Sequence, residues 1–276
     1  MVHGMKTLIL AAFAALLVSC GSGSSASSGG RNIIDHASPS ADTIPEGVLT
    51  AVRGMDTYFE HASVGSNITG GLSSIASTDS VRYTIERESI GSDSTTLTAS
   101  VAQWFTDNNG FLDNGRGNPG FTAKAMGFDT RMRTAGFAAT VDVAFFKYCY
   151  IDNDYLDAYA DAEAAFAYVR GIMEGLETAY PNVTFVWWTM PLTTGGSAET
   201  DAFNELVRTY CSSTNRYLFD IADIECHDEL GVKAVSGSGR EVLVDAYTDD
   251  GGHLNGAGSE RVARALWVLL ARVSGW

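Results

Sequence analysis

The residues best suited to chemistry lie near the C-terminus, in Asp250-Gly251-Gly252-His253-Leu254-Asn255. An Asp three residues before a His, on a glycine-flexed loop, lets one carboxylate hold the imidazole of the same loop. A neutral His so oriented, with its second nitrogen free, is a general base that needs a nucleophile. Asp249 competes for the orienting role, and the spacing favours Asp250. A candidate nucleophile occurs early in the chain, in His61-Ala62-Ser63-Val64-Gly65-Ser66-Asn67-Ile68. There an apolar strand-like run passes into a helical one. A Ser at such a junction is presented at the edge of a sheet, above a helix N-terminus whose unpaired N–H groups can face a developing oxyanion. Alone, Ser63 reads better as a helix cap, but Ser66 is a rival cap, and the distant Asp-x-x-His reverses the balance in favour of the nucleophile.

The elements that must position these residues follow from periodicity and breakers. Thr57–His61 reads as a strand, Ser66–Ile75 as a helix and Val81–Ile85 as a second strand. Residues 88–131 read as loops with a short helix near Leu97–Phe105. Val141–Tyr148 suits a buried parallel strand. Asp157–Tyr180 is an amphipathic helix stopped by Pro181, and Val183–Met190 a strand ended by Pro191. A helix over Glu199–Ser213, a short strand at Tyr217–Asp220 and a final helix over Gly256–Val273 complete the pattern. Alternating strands and helices predict an α/β fold in three layers, with a parallel, flavodoxin-like sheet. Ligands sit at the C-terminal ends of such strands, where the Ser63 and His253 loops would both lie.

The early strand-to-helix Ser and the late Asp-x-x-His resemble the SGNH (GDSL-like) hydrolase superfamily, over roughly residues 55–275. The resemblance implies Ser63 as nucleophile, His253 as general base and Asp250 as its orienter. It implies ester hydrolysis without metal or cofactor. The usual Gly-Asp-Ser is absent, and so is the Gly-x-Asn-Asp block that supplies an oxyanion donor after the third strand. That segment reads Lys147-Tyr148-Cys149-Tyr150-Ile151-Asp152-Asn153-Asp154. Asn153, Asn118 and Gly120 in the long loop, and Asn67 one turn beyond Ser63, are the candidate substitutes. The same triad would serve an acyltransferase, and a fold that had lost its oxyanion donors would serve a non-catalytic glycan-binding lipoprotein.

The N-terminus points to export. Lys6 precedes an apolar run, Leu8–Leu17, too short to span a bilayer, and Leu17-Val18-Ser19-Cys20 resembles a lipoprotein cleavage box. We therefore expect a signal peptide over 1–19, lipidation at Cys20, a Gly/Ser-rich tether over 20–35 and one hydrolase-like domain over 36–276. The lipid would be the only membrane attachment, with the outer membrane or cell surface as its location. The formal charge of −15 argues against nucleic acid and acidic partners. The sequence offers no P-loop, CxxC pair or His-x-x-x-His spacing. An acylated glycan or other small ester is the expected substrate, with acetyl the first choice of acyl group. In an exported chain Cys211 and Cys226 could form a disulfide, leaving Cys149 as a buried thiol. His61 reads either as pocket wall or as a structural His, His227 as part of a surface loop, and at least one ring of Trp187-Trp188 as core.

Overall fold

The computed structural model describes residues 31–91 and 98–276. Cys20, the expected signal peptide and most of the tether lie outside the described residues.

The strands are β1 (Ile33–Ile34), β2 (Thr57–His61), β3 (Arg87–Ile90), β4 (Phe111–Gly115), β5 (Val143–Phe146), β6 (Thr184–Phe185), β7 (Trp187–Trp188) and β8 (Leu218–Phe219). The helices are α1 (Glu46–Arg53), α2 (Val64–Thr78), α3 (Ser80–Tyr83), α4 (Ala99–Asn108), α5 (Phe121–Arg133), α6 (Ala162–Ala179), α7 (Ala198–Thr214), α8 (Ile221–Cys226) and α9 (Gly256–Val273). All strand pairs in the two ladders are parallel, in the orders β3-β4-β2-β5-β6 and β1-β8-β7. A single residue, Val186, separates β6 from β7, and its N–H still donates to Ala144 of β5 at 3.1 Å. Residues 184–188 therefore act as one bent strand whose first half pairs with β5 and whose second half pairs with β8. Across this seam the inner order β4-β2-β5-β6/β7-β8 is the flavodoxin-like one, with β3 and β1 added at the edges.

Strand alternation divides the core. Phe59, Val143, Phe145, Val186, Trp188 and Phe219 point to the side covered by α1, α2, α8 and α9. Tyr58, Leu112, Ala144, Phe146, Phe185, Trp187 and Leu218 point to the side covered by α5, α6 and α7. Both faces of the sheet are thus buried, and the architecture is three-layered α/β/α, as expected. The two tryptophans belong one to each core. Trp188 stacks on both Phe59 and Phe145, at 5.3 and 5.4 Å, and Trp187 is buried on the other side, so neither indole is presented for sugar stacking.

Three expectations are corrected. Val81–Ile85 is not a strand: Asp79 caps the short helix α3 by accepting from Arg82 N–H, and the strand comes later, at β3. The supposed loop region contains β4, which lies beside the central β2. Its Asp113, Asn114 and Gly115 look like loop residues, but Asp113 is buried by Arg87 and Ser89, and Asn114 by the Tyr58 hydroxyl. Cys211 and Cys226 are both free and buried, on opposite sides of the sheet, which rules out the disulfide.

Candidate active site

Ser63 follows β2 directly, at the carboxyl end of the strand where the chain leaves β4 on one side and β5 on the other. This is the topological switch point of the sheet. The helix begins at once with Val64, so Ser66 lies inside α2 and does not cap it. Ser63 makes no side-chain cap hydrogen bond and adopts φ 53°, ψ −109°, a left-handed conformation costly for a residue with a Cβ. Gly65 lets the first turn of α2 close against His61, where any Cβ would lie 2.6 Å from the imidazole Nδ1.

The strained turn aims Ser63 at the other loop. Ser63 Oγ lies 2.5 Å from His253 Nε2, and His253 Nδ1 lies 2.7 Å from Asp250 Oδ2. The other oxygen of Asp250 accepts the N–H groups of His253 and Gly252 at 2.8 and 3.0 Å. The His253 imidazole and these two N–H groups hold the Asp250 carboxyl well below the usual carboxylate range. The loop is built to keep this shape. Gly251 takes φ 86°, its carbonyl accepts Thr194 N–H at 2.9 Å, and Thr248 bridges to Leu254. Asn255 caps α9 by accepting Gly258 N–H at 3.2 Å, which fixes the start of the helix at Gly256, three residues beyond His253. Asp249 turns away, accepting from the Asn255 amide.

A further residue completes the cluster. Tyr150, the first residue of a 3-10 segment Tyr150–Asp157 after β5, places its hydroxyl 3.4 Å from both nitrogens of His253. Burial and then the Asp250 charge push its phenol upward, so it remains a proton donor. Its ring packs on Gly252, where a Cβ would come within 2.8 Å of Tyr150 Cζ. Sequence reasoning passed over Tyr150. Its one signal was its place after the third strand of the α/β pattern, where an oxyanion donor was being sought among asparagines.

The structure joins Ser63, His253 and Asp250, but the four expected oxyanion residues are placed differently. Asn67 lies on the first turns of α2 with its Oδ1 buried and without a partner among the described residues. Asn118 accepts from Lys124 Nζ at 2.8 Å, and Lys124 also ion-pairs with buried Asp152. Gly120, at φ 92°, is the turn residue before α5, and Asn153 lies half-buried in the 3-10 segment. None of the four shares a side-chain hydrogen bond with Ser63 or His253 among the described residues.

No protein-family model matches the chain, and no curated protein matches it in sequence. Solved structures do resemble it. A catalytic mutant of an acetylxylan esterase from Geobacillus stearothermophilus is similar at TM-score 0.49 and 13% identity, over 81% of this chain and 95% of that one. A GDSL-like lipase from Bacteroides thetaiotaomicron is similar at TM-score 0.45 and 13% identity, over 78% and 86%.

His61 is a structural residue. It is buried, stacks on Phe59 at 4.7 Å and lies 3.5 Å from Asp113, and burial pushes its imidazole down toward the neutral form. His227 is also buried, against His36 and Asp223, which corrects the surface-loop expectation. The reason is the edge strand β1, which carries His36 over α8 and which no periodicity in the N-terminal segment announced.

Proposed function

We propose that the protein is an extracytoplasmic serine esterase of the SGNH type that removes small acyl groups, acetyl foremost, from a carbohydrate or a similar ester. The observation that carries this reading is the continuous relay from Asp250 through His253 to Ser63. A helix cap or a binding surface has no need of it, and the strained Ser63 backbone is kept for no packing reason. In the first step Ser63 Oγ attacks the acyl carbonyl while His253 Nε2 takes its proton and Asp250 stabilises the imidazolium. The leaving alcohol recovers that proton as the acyl-enzyme forms. His253 then takes a proton from water as the oxygen attacks the acyl carbonyl, and returns that proton to Ser63 Oγ as the ester bond to the serine breaks and the acid leaves. The Tyr150 hydroxyl, beside the His253 imidazole, is the donor this reading assigns to the developing oxyanion.

A polymeric substrate is supported by the openness of the site: the side chains of His253 and Asp250 are 43% and 56% exposed. Export and lipid anchoring at Cys20 belong to this reading on the strength of the Lys6–Cys20 sequence. No helix among the described residues is long and apolar enough to cross a membrane.

The test is hydrolysis of p-nitrophenyl acetate and butyrate by the soluble domain, beside Ser63→Ala. We expect turnover in the wild type, faster on acetate, that disappears in the variant. Equal rates in both folded proteins would refute the assignment. Mass analysis of the N-terminal peptide from membranes tests the anchor, which requires a diacylglyceryl group on Cys20.

A further inference from the structure

At the edge of the sheet formed by β1 and β8, three metal-ligating side chains from separate parts of the chain meet. His36 follows β1, Asp223 lies in α8, and His227 follows that helix one turn further on. One nitrogen of each imidazole and one oxygen of the carboxylate all lie within 4.8 Å of one another. His36 Nδ1 is 2.5 Å from Asp223 Oδ2, and His227 Nδ1 is 3.4 Å from Asp223 Oδ1. The two imidazole rings stack face to face at 3.5 Å, only 13° from parallel.

We propose that His36, Asp223 and His227 form a binding site for one divalent transition-metal ion of the zinc class. Two imidazoles and one carboxylate are a borderline donor set that suits Zn²⁺ rather than the oxygen-only preference of Ca²⁺ or Mg²⁺. Ligands about 2.0–2.2 Å from a shared tetrahedral ion are themselves about 3.3 Å apart, and the three candidate ligand atoms already lie within 4.8 Å of one another. On that geometry the His36–Asp223 pair would open by less than about 1 Å, and the two stacked rings would turn so that a nitrogen of each faces the ion.

The surroundings hold the ligands in place and leave a way in. The backbone N–H of His36 donates to Asp223 Oδ2 at 2.9 Å, and His227 Nδ1–H donates to the Asp223 carbonyl at 2.7 Å, a hydrogen bond this nitrogen would exchange for the ion. Arg261 braces the end of the helix by donating to the carbonyls of Ile224 and Asp228. His36 lines a cavity of about 360 Å³ whose wall also includes Asp35, Ser38 and Glu229. That space admits the ion and offers water to complete four-coordination.

The ion's role is to fasten, not to react. It ties β1, an edge strand of two residues, to α8. From α8 a path of hydrogen bonds leads toward the triad: Glu225 accepts Leu192 N–H at 2.7 Å, and Thr194 N–H donates to Gly251 at 2.9 Å.

The experiment is titration of the chelator-treated full chain with Zn²⁺ against a chromophoric competitor, with thermal unfolding measured in parallel. We expect one equivalent bound at micromolar Kd or tighter, with Tm raised by several degrees, and no response to equimolar Mg²⁺ or Ca²⁺. His36→Gln and His227→Gln should each weaken binding at least tenfold and lose the Tm response, while Ser63→Ala binds as the wild type does. Zinc affinity and Tm response unchanged in both His variants would mean scattered binding to an acidic surface and would overturn the site. If either variant fails to fold, X-ray absorption on the wild-type zinc complex decides the matter. Two imidazole ligands support the site and a shell without imidazole refutes it. Neither readout depends on turnover, so the failure of this site and the failure of the esterase assignment are separable.

Discussion

Gly71 on α2 packs directly on the carbonyl of Ser259 on α9, whose carbon would lie 2.6 Å from any Cβ placed at position 71. These are the two helices that begin just after Ser63 and His253. Their contact sets the distance between nucleophile and base, although neither Gly71 nor Ser259 takes part in the reaction. Gly71→Ala must therefore push the helices apart. We expect about 1–3 kcal/mol of lost stability from overpacking and a kcat reduced on the order of tenfold or more, measured by urea denaturation and by ester turnover. A variant as stable and active as wild type would show that the helix spacing is not set there.

Ser63 holds a left-handed backbone for the sake of its hydroxyl. Ser63→Gly should then be more stable than Ser63→Ala, by about 1–2 kcal/mol, because only glycine adopts this conformation without strain. Both variants should lack turnover. Equal unfolding midpoints for the two would argue that the turn is relaxed.

Tyr150→Phe removes one hydroxyl and little else, since the ring stays packed on Gly252. Loss of an oxyanion donor costs on the order of 10²–10³ in kcat. We expect kcat to fall by about 100-fold with KM nearly unchanged. A rise in KM with kcat unchanged would assign Tyr150 to substrate binding instead.

Asp250 is held so far below the usual carboxylate range that it stays ionised wherever the protein is folded. Asp250 should therefore contribute no proton to the acid limb of kcat/KM, which should rise with unit slope in log kcat/KM. A slope of two would place a second titrating group in the mechanism. Asp250→Asn, which disturbs the tautomer of His253, should lower kcat by about 10⁴ while leaving the fold intact.

Burial raises the Glu225 carboxyl to about 8, well above its ordinary value of 4.5. The folded state thus binds this proton more tightly than the unfolded chain does. Its contribution to stability is full below about pH 4.5 and declines as pH rises toward 8, by at most about 1.4 kcal/mol per pH unit. Glu225→Gln keeps an acceptor for Leu192 N–H and should flatten this decline. Urea midpoints measured from pH 5 to 9 test it, and parallel curves for the two proteins would refute the linkage.

The parts of this molecule that could be read from sequence were those whose chemistry is local. Asp250 and His253 share one loop, the helix Gly256–Val273 is bounded as its period predicts, and the apolar run around Phe145 had to be a buried strand. What could not be read depended on partners distant in sequence. β4 is a strand because its polar residues meet Arg87, Ser89 and Tyr58, none of which is its sequence neighbour. Tyr150 matters because the 3-10 turn after β5 lays it on the His253 loop. His36 meets His227 across nearly the whole chain, and Cys211 and Cys226 are separated by a sheet whose layering no cysteine count reveals.

The bent strand at residues 184–188 joins two ladders through one residue, Val186, and this divides the sheet into unequal cooperative units. Opening the smaller one breaks only the short pairings of β7, β8 and β1, while β3, β4, β2, β5 and β6 keep theirs. In native-state hydrogen exchange the amides of Leu218 and Asp220, which bond to Asn32 and Ile34, should therefore be released together. They should exchange well ahead of the amides in β2, so that the molecule frays from the edge farthest from β3 while the strand that presents Ser63 stays closed.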